Sequence, residues 1–204
     1  MILRITLVAT AILVSGCADP KAANEKNFKL AIQERLDTIY PKCYVEANFP
    51  LTTDKIGYNK STFTALTTAR LLSVKDEPRE VKVHLFSNKT RTVVEPVFRL
   101  TEEGKKFYKP DAEKDVYGNP TGGFCFGKAT IKEISEFTEP VDAGGMRASQ
   151  VTYTYQVSDF PAWAKLPEIS AAITKLKIDV ESEKTPIKDM DILVLTNNGW
   201  KSKW

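Results

Sequence analysis

Apolar residues in the first part of the chain recur with helical spacing. Between residues 27 and 40 they lie on one face of a predicted helix, at Phe28, Ile32, Leu36 and Ile39. Asn24 or Asn27 can cap the start of this helix, and Pro41 ends it just after Tyr40. The pattern therefore predicts an amphipathic helix that buries one face.

A second helix and a β-hairpin are predicted next. The helix covers residues 61–72, where several threonines lower the intrinsic helix propensity. Residues 81–86 alternate between apolar and polar side chains, as a half-buried strand does. Residues 87–90 form a turn, and a second strand over 92–100 contains Pro96, which favours a sheet edge or a bulge.

Strand patterns dominate the second half of the chain. Residues 109–123 are polar and rich in Gly and Pro, and they predict a long loop or a domain boundary. Strands are predicted over residues 124–137, 150–158 and 192–196. Gly144 and Gly145 mark a turn, and Pro161 begins a short helix.

These elements together predict an α+β fold. A helix pair and a β-hairpin occupy residues 27–110. They pack with an antiparallel sheet over residues 111–204, which carries one short helix. The chain has 204 residues, which is enough for both parts to bury a core.

Two short motifs frame the predicted hairpin. The sequence Leu-Leu-Ser stands at residues 71–73, after the second helix, and Leu-Thr-Glu-Glu-Gly stands at 100–104, after the hairpin. This order resembles winged-helix proteins over about residues 28–108. The resemblance implies a helix that enters a DNA groove, but the helix over 61–72 contains Arg70 as its one cation. We therefore expect such a fold to make protein contacts here, with no nucleic-acid partner.

The N-terminal residues have the features of an export signal. Arg4 precedes an apolar run over residues 5–14, which has signal-peptide length and is too short to cross a bilayer. The quartet Val-Ser-Gly-Cys that ends at Cys17 resembles the bacterial lipobox. The resemblance implies cleavage of residues 1–16 and a diacylglycerol on the Cys17 sulfur. The alternative is an ordinary secretory signal that contains a cysteine near its cleavage site.

The residues after Cys17 bear on which bacterial membrane would hold the protein. An Asp directly after the lipidated cysteine usually marks inner-membrane retention in enterobacterial lipoproteins, and this chain has Ala18 there. The resemblance therefore implies the outer membrane, with the protein facing the periplasm. Residues 17–26 are small and polar, and they predict a lipidated cysteine followed by a flexible tether.

Net charge and cysteine content are the parts of the composition that bear on the predicted partners and on a disulfide. Twenty-nine Lys and Arg against 26 Asp and Glu leave a formal charge of +3, which is too small to indicate nucleic acid. Apart from Cys17, the chain has two cysteines, and an oxidising compartment favours a Cys43–Cys125 disulfide. The alternative is two buried free thiols.

Sequence motifs for catalysis are absent. The chain has no Gly-x-Ser-x-Gly, His-Glu-x-x-His, Walker or Gly-x-Gly-x-x-Gly motif. Its one histidine, His84, lies on the polar face of a predicted strand. Acidic residues in mixed-charge surroundings are candidates for acid–base work, at Glu102, Glu103, Glu133 and Glu136. We expect no enzyme activity, no cofactor and no metal.

Aromatic residues near the C-terminus are the remaining signal. Candidate binding residues are Phe160, Trp200 and Trp204, of which Trp204 has the strongest case for exposure. Core packing is the alternative for the aromatic cluster. The sequence therefore predicts a lipid-anchored, non-catalytic envelope protein that binds a protein or peptidoglycan, such as an inhibitor or immunity-type lipoprotein. An envelope hydrolase acting through carboxylates is the alternative.

Overall fold

A computed structural model describes residues 19–53, 59–84 and 88–203. The predicted signal peptide, Cys17 and Trp204 lie outside these residues. The described chain combines α-helices with antiparallel sheets, so the predicted α+β class is confirmed. No helix among the described residues has the length and apolar character needed to cross a membrane.

The helices and strands follow one another in a mixed order. The described α-helices are Glu25–Ile39 (α1), Lys60–Thr68 (α2), Glu102–Phe107 (α3), Pro167–Ala172 (α4) and Thr174–Glu181 (α5). The first strands are Lys42–Glu46 (β1), Leu51–Thr52 (β2), Leu72–Lys82 (β3), Thr90–Leu100 (β4), Tyr108–Lys114 (β5) and Pro120–Phe126 (β6). The later strands are Lys128–Phe137 (β7), Val141–Ala143 (β8), Met146–Ser158 (β9), Ile187–Thr196 (β10) and Gly199–Ser202 (β11).

Three antiparallel sheets organise these strands. One has the order β1-β6-β5, and a second has the order β2-β4-β3. The third has the order β11-β10-β9-β7, with β8 also paired to β9. We call this third sheet the five-stranded sheet. All pairings in it are antiparallel, and hairpin turns join β8 to β9 and β10 to β11.

The first helix agrees with its prediction. The Asn24 side chain accepts a hydrogen bond from the Asn27 backbone N–H at 2.9 Å, so Asn24 is the cap. The helix ends at Ile39, ahead of Pro41. Its buried face covers β7, β10 and β11 of the five-stranded sheet. This helix therefore packs on strands that come from the other end of the chain.

The predicted hairpin exists, but its strands are longer than expected. β3 begins at Leu72 and not at residue 81, and α2 ends at Thr68. Most of β3 is exposed or half-buried, and charged residues lie on both of its faces, so apolar and polar side chains do not alternate regularly along it. Pro96 lies beyond the part of β4 that pairs with β2, at an open edge of the sheet as predicted.

The expected loop over residues 109–123 is wrong. These residues form the β5–β6 hairpin, whose strands pair from Tyr108 with Phe124 to Lys114 with Pro120. β5 is an edge strand with mostly exposed side chains, and its polar composition therefore resembles that of a loop. Backbone pairing with β6 decides its conformation.

The expectation of one short helix in the second half is also wrong. A 3-10 turn at Ala162–Lys165 leads into α4 and α5. The apolar residues Ile169, Ile173 and Leu176 recur at helical spacing and are buried. They pack against α2 and the β1-β6-β5 sheet in one of two hydrophobic cores. The second core lies between α1 and the five-stranded sheet.

Candidate functional site

The chain just after the predicted lipidation residue is docked on the folded body. We call residues 19–24 the N-terminal segment. Trp200 Nε1 donates hydrogen bonds to the carbonyl oxygens of Lys21 at 3.1 Å and Ala22 at 3.2 Å. Asn27 Nδ2 donates to the carbonyl oxygens of Asp19 and Ala22, both at 2.8 Å. The expected flexible tether is therefore wrong for residues 19–24, and Glu25 already belongs to α1.

Gly199 allows the N-terminal segment to approach the sheet. A Cβ atom at Gly199 would lie 3.0 Å from the carbonyl oxygen of Pro20. The φ angle of Gly199 is 106°, which residues with a side chain rarely adopt. A glycine in the β10–β11 turn is therefore needed for both the turn and the contact.

The predicted aromatic binding residues do not form one exposed surface. Trp200 is only 4% exposed, and its ring packs edge-on against Phe28 at 4.9 Å, so its assignment to a surface site is wrong. Phe160 is half-buried and contacts the Phe126 ring at 6.1 Å. Trp204 lies outside the described residues. A buried indole N–H needs an acceptor, and the N-terminal segment supplies it for Trp200.

Exposed apolar side chains occur beside this docking site. In register, Val141 of β8 pairs with Ala148 of β9, and Ala148 also pairs with Val194 of β10. Val141 and Met146 are exposed hydrophobic residues. A shallow depression of about 360 Å³ lies here, lined by Thr138, Val141, Ala148, Ser149, Gln150 and Ile192. We call the turns at residues 143–146 and 196–199 the sheet end.

A second exposed surface lies on the β3–β4 hairpin. We call residues 74–82 and 90–96 the hairpin arm, because these parts of the two strands pair only with each other among the described strands. Alternate residues on one face include apolar Val74, Pro78 and Val94. Val94 is 69% exposed.

The opposite face of the hairpin arm is covered by its own ion pairs. Arg99 Nη2 lies 2.8 Å from Glu77 Oε2, and Arg79 pairs with Glu95. These pairs lie across the two strands, where opposite charges stabilise a hairpin modestly. Among the described residues, the face with Val74, Pro78 and Val94 carries no salt bridge, so the two faces of the arm differ in character.

A buried carboxylate joins the two halves of the chain. Asp179 of α5 is almost fully buried and accepts hydrogen bonds from the hydroxyls of Tyr40 at 3.0 Å and Tyr44 at 2.7 Å. Lys42 Nζ lies 3.1 Å from the same carboxylate. Burial raises the pKa of Tyr40 and Tyr44 far above the ordinary value, so both hydroxyls stay protonated and donate. Sequence reasoning missed this site, because nothing local connects residues 40–44 with 179.

The acidic residues proposed for catalysis do not converge. Glu102 and Glu103 bind Lys105 and Lys106 one helical turn away, at 2.6 Å and 2.5 Å. The hydrogen bond and charge of Lys105 lower the pKa of Glu102, so it stays ionised and is a poor proton donor. His84 is exposed at the end of the hairpin arm.

Cys43 and Cys125 lie opposite each other on neighbouring strands. Their Sγ atoms are 2.01 Å apart, the distance of a disulfide, and they pair in register between β1 and β6. The pairing expected from the sequence is thus compatible with the geometry. Within residues 19–53, 59–84 and 88–203, no group of three or more His, Cys, Asp or Glu side chains could hold a metal ion.

Comparisons with protein-family models, curated proteins and solved structures returned no match for this chain. Function is therefore inferred from the chain's own residues and their arrangement.

Proposed function

We propose that the chain is a lipid-anchored, non-catalytic protein of the bacterial cell envelope that binds a protein partner through the hairpin arm. Cys17 carries the lipid, and the body faces the periplasm from the outer membrane. The observation that carries the binding proposal is the exposed apolar face of the arm. Exposed apolar patches on a folded protein often mark interaction sites.

The chemistry of this face indicates what kind of surface it binds. Asp76 and Glu80 alternate with Val74 and Pro78 along β3, so carboxylates flank the apolar residues, and Lys82 follows on the same face at the end of the strand. Hydrogen bonds from the hydroxyls of Thr92 and Thr90 lower the pKa of Glu80, which therefore remains charged at neutral pH. The face is suited to a protein surface with an apolar centre and basic residues at its rim.

The anchoring proposal is supported by sequence and by geometry together. The quartet that ends at Cys17 resembles a lipobox, and Asp19 is already part of the docked N-terminal segment. Two acyl chains give stable membrane attachment where one does not. A body fixed this close to the lipid suits a protein that acts at the membrane surface.

The absence of catalysis is supported by how the carboxylates are used. Glu102 and Glu103 are in ion pairs with lysines, and Asp179 is held by two tyrosine hydroxyls and Lys42. Asp191 is buried and pairs with Arg35 at 3.1 Å. Each of these carboxylates already binds a lysine, an arginine or tyrosine hydroxyls, so none is free to act as the acid or base of a glycosidase site.

A photo-crosslinking experiment tests the binding proposal. A photoreactive amino acid replaces Val94 in the full-length protein in intact cells, and the adduct is identified by mass spectrometry. We expect one defined protein adduct that is lost when Val74→Asp is added and is retained when Val116→Asp is added. Val116 is an exposed apolar residue away from the hairpin arm, in the β5–β6 turn, so it is the matched control. A peptidoglycan adduct, or an adduct insensitive to Val74→Asp, would contradict the proposal.

Two further measurements test the lipid anchor and the hydrolase alternative separately. Labelled palmitate should enter the wild-type protein but not Cys17→Ser. Palmitate label in Cys17→Ser would overturn the anchor. Release of peptidoglycan fragments or fatty acids by the wild type, lost in Glu133→Gln or Glu136→Gln, would replace binding with the hydrolase alternative.

A further inference from the structure

We infer that the sheet end faces the lipid surface and that the N-terminal segment holds it there. The inference rests on the proposed acylation of Cys17. It adds an orientation and a second membrane contact, made by the apolar residues Val141 and Met146. The contacting partner is the lipid surface itself.

The first step is the length of chain between the lipid and the body. Cys17 and Asp19 are separated by two Cα–Cα steps, which span at most about 7 Å. Asp19 is held through its carbonyl oxygen by Asn27, and Lys21 is held by Trp200. An acylated Cys17 therefore has no long tether, and the part of the body nearest Asp19 lies at the membrane.

The second step locates that part of the body. The Pro20 carbonyl contacts Gly199, and Gly199 pairs with Thr196 across the β10–β11 turn. Ala148 of β9 pairs with Val194 of β10, so Met146 is level with Thr196, two residues further along each strand. Neighbouring strands are about 4.8 Å apart, so Met146 lies on the order of 10 Å from the Gly199 strand.

The third step is the chemistry of the sheet end. Val141 and Met146 are exposed on the β8–β9 hairpin, and Gly144 and Gly145 between them carry no side chain. This gives a small apolar tip of the kind that enters the interface of a bilayer. The charged residues nearby have both signs, with Asp142 and Arg147 opposite each other in register. The contact is therefore apolar in character and needs no anionic lipid.

The experiment compares two methionines of the same sheet. Met146 is 47% exposed and Met190 is 51% exposed. Met190 pairs with Thr152, six residues along β9 from Met146, which is about 20 Å of strand. Met146→Cys and Met190→Cys are labelled with a fluorophore in the acylated protein, without reduction. The protein is placed in phosphatidylcholine vesicles that carry a quencher on the lipid headgroup.

We expect the label at position 146 to be quenched at least threefold more than the label at position 190, with no loss in high salt. Equal quenching in the acylated protein would overturn the orientation and leave the anchor in place. Mass spectrometry of the same sample reports acylation, so an unmodified Cys17 would instead overturn the proposed anchor.

A second variant tests the role of the N-terminal segment. Ten Gly and Ser residues inserted between Ala18 and Asp19 give the body a flexible tether. We expect the ratio of quenching at position 146 to quenching at position 190 to fall toward one. A difference that survives the insertion would show that the segment does not hold the orientation, which would contradict that half of the inference.

Discussion

The indole Nε1 of Trp200 donates a hydrogen bond to the carbonyl oxygen of Lys21, 3.1 Å away and 179 residues earlier in the chain. The same N–H also contacts the carbonyl oxygen of Ala22. This contact makes the N-terminal segment part of the folded body. It also places the hairpin β10–β11 beside the N-terminal segment.

Trp200→Phe removes this donor and keeps an aromatic ring in the core. We expect it to lower the free energy of unfolding by about 1 kcal/mol, the usual net value of one hydrogen bond, plus a smaller loss from ring size. Amide exchange and cleavage after Lys21 should become faster. Trp163→Phe is the matched control, because Trp163 is buried and its Nε1 has no hydrogen-bond partner among the described residues. Equal amide-exchange rates at Lys21 and Ala22 in both variants would contradict the role of Trp200.

Among the described residues, Tyr44→Phe removes the shortest hydrogen bond to the Asp179 carboxylate, of 2.7 Å. Hydrogen bonds to a charged group contribute about 1.5–3 kcal/mol, so we expect a loss of about 2 kcal/mol in urea unfolding. Asp179→Asn should be at least as destabilising, and the two changes together should cost less than their sum. Tyr117→Phe, at an exposed position, should be neutral. Additive effects of Tyr44→Phe and Asp179→Asn would show that the pair does not interact.

Stability should fall at alkaline pH. Burial raises the pKa of Tyr40, Tyr44 and Tyr153 above the ordinary value of about 10, so the folded state keeps these protons when the unfolded state loses them. Their contribution is fully present below pH 10 and declines as pH rises above it. A Tyr40→Phe, Tyr44→Phe double variant should show a shallower alkaline decline in urea unfolding between pH 9 and pH 11. An unchanged slope would contradict the assignment.

Cys43→Ser with Cys125→Ser should lower the free energy of unfolding by about 4 kcal/mol in the loop-entropy description, since the bond closes a loop across 82 residues. A thiol count on the denatured, unreduced mature protein should give zero. Two free thiols would establish the alternative of unbonded cysteines.

Gly199→Ala should be more destabilising than Gly144→Ala. Both glycines have a positive φ angle, 106° and 60°, and both are in turns of the five-stranded sheet. A Cβ at Gly144 meets nothing within 4 Å, but one at Gly199 meets the Pro20 carbonyl oxygen at 3.0 Å. The less favourable φ angle and the contact with the N-terminal segment therefore both act against Ala at position 199, and thermal unfolding of the two variants measures their sum. A Gly144→Ala variant as unstable as Gly199→Ala would contradict that contact.

Elements with one buried face were predictable from the sequence. α1 and β9 each bury one face. The apolar residues on those faces recur with a helical period at Phe28 and Ile32 and with a strand period at Val151 and Tyr153. β3 and β5 were misjudged because little of either strand is buried. α4 and α5 were missed because two short helices offer few turns over which a period can repeat.

For the candidate site, too, some features followed from the sequence and others only from the structure. The sequence by itself determined the α+β class, the end of α1 ahead of Pro41, and the two cysteines available for pairing. The acylation of Cys17 remains a prediction from its motif. Only the tertiary structure decided that Trp200 is buried and that residues 19–24 are docked on it. The physical reason is that these contacts join the two ends of the chain, where no local pattern records the partner of a side chain.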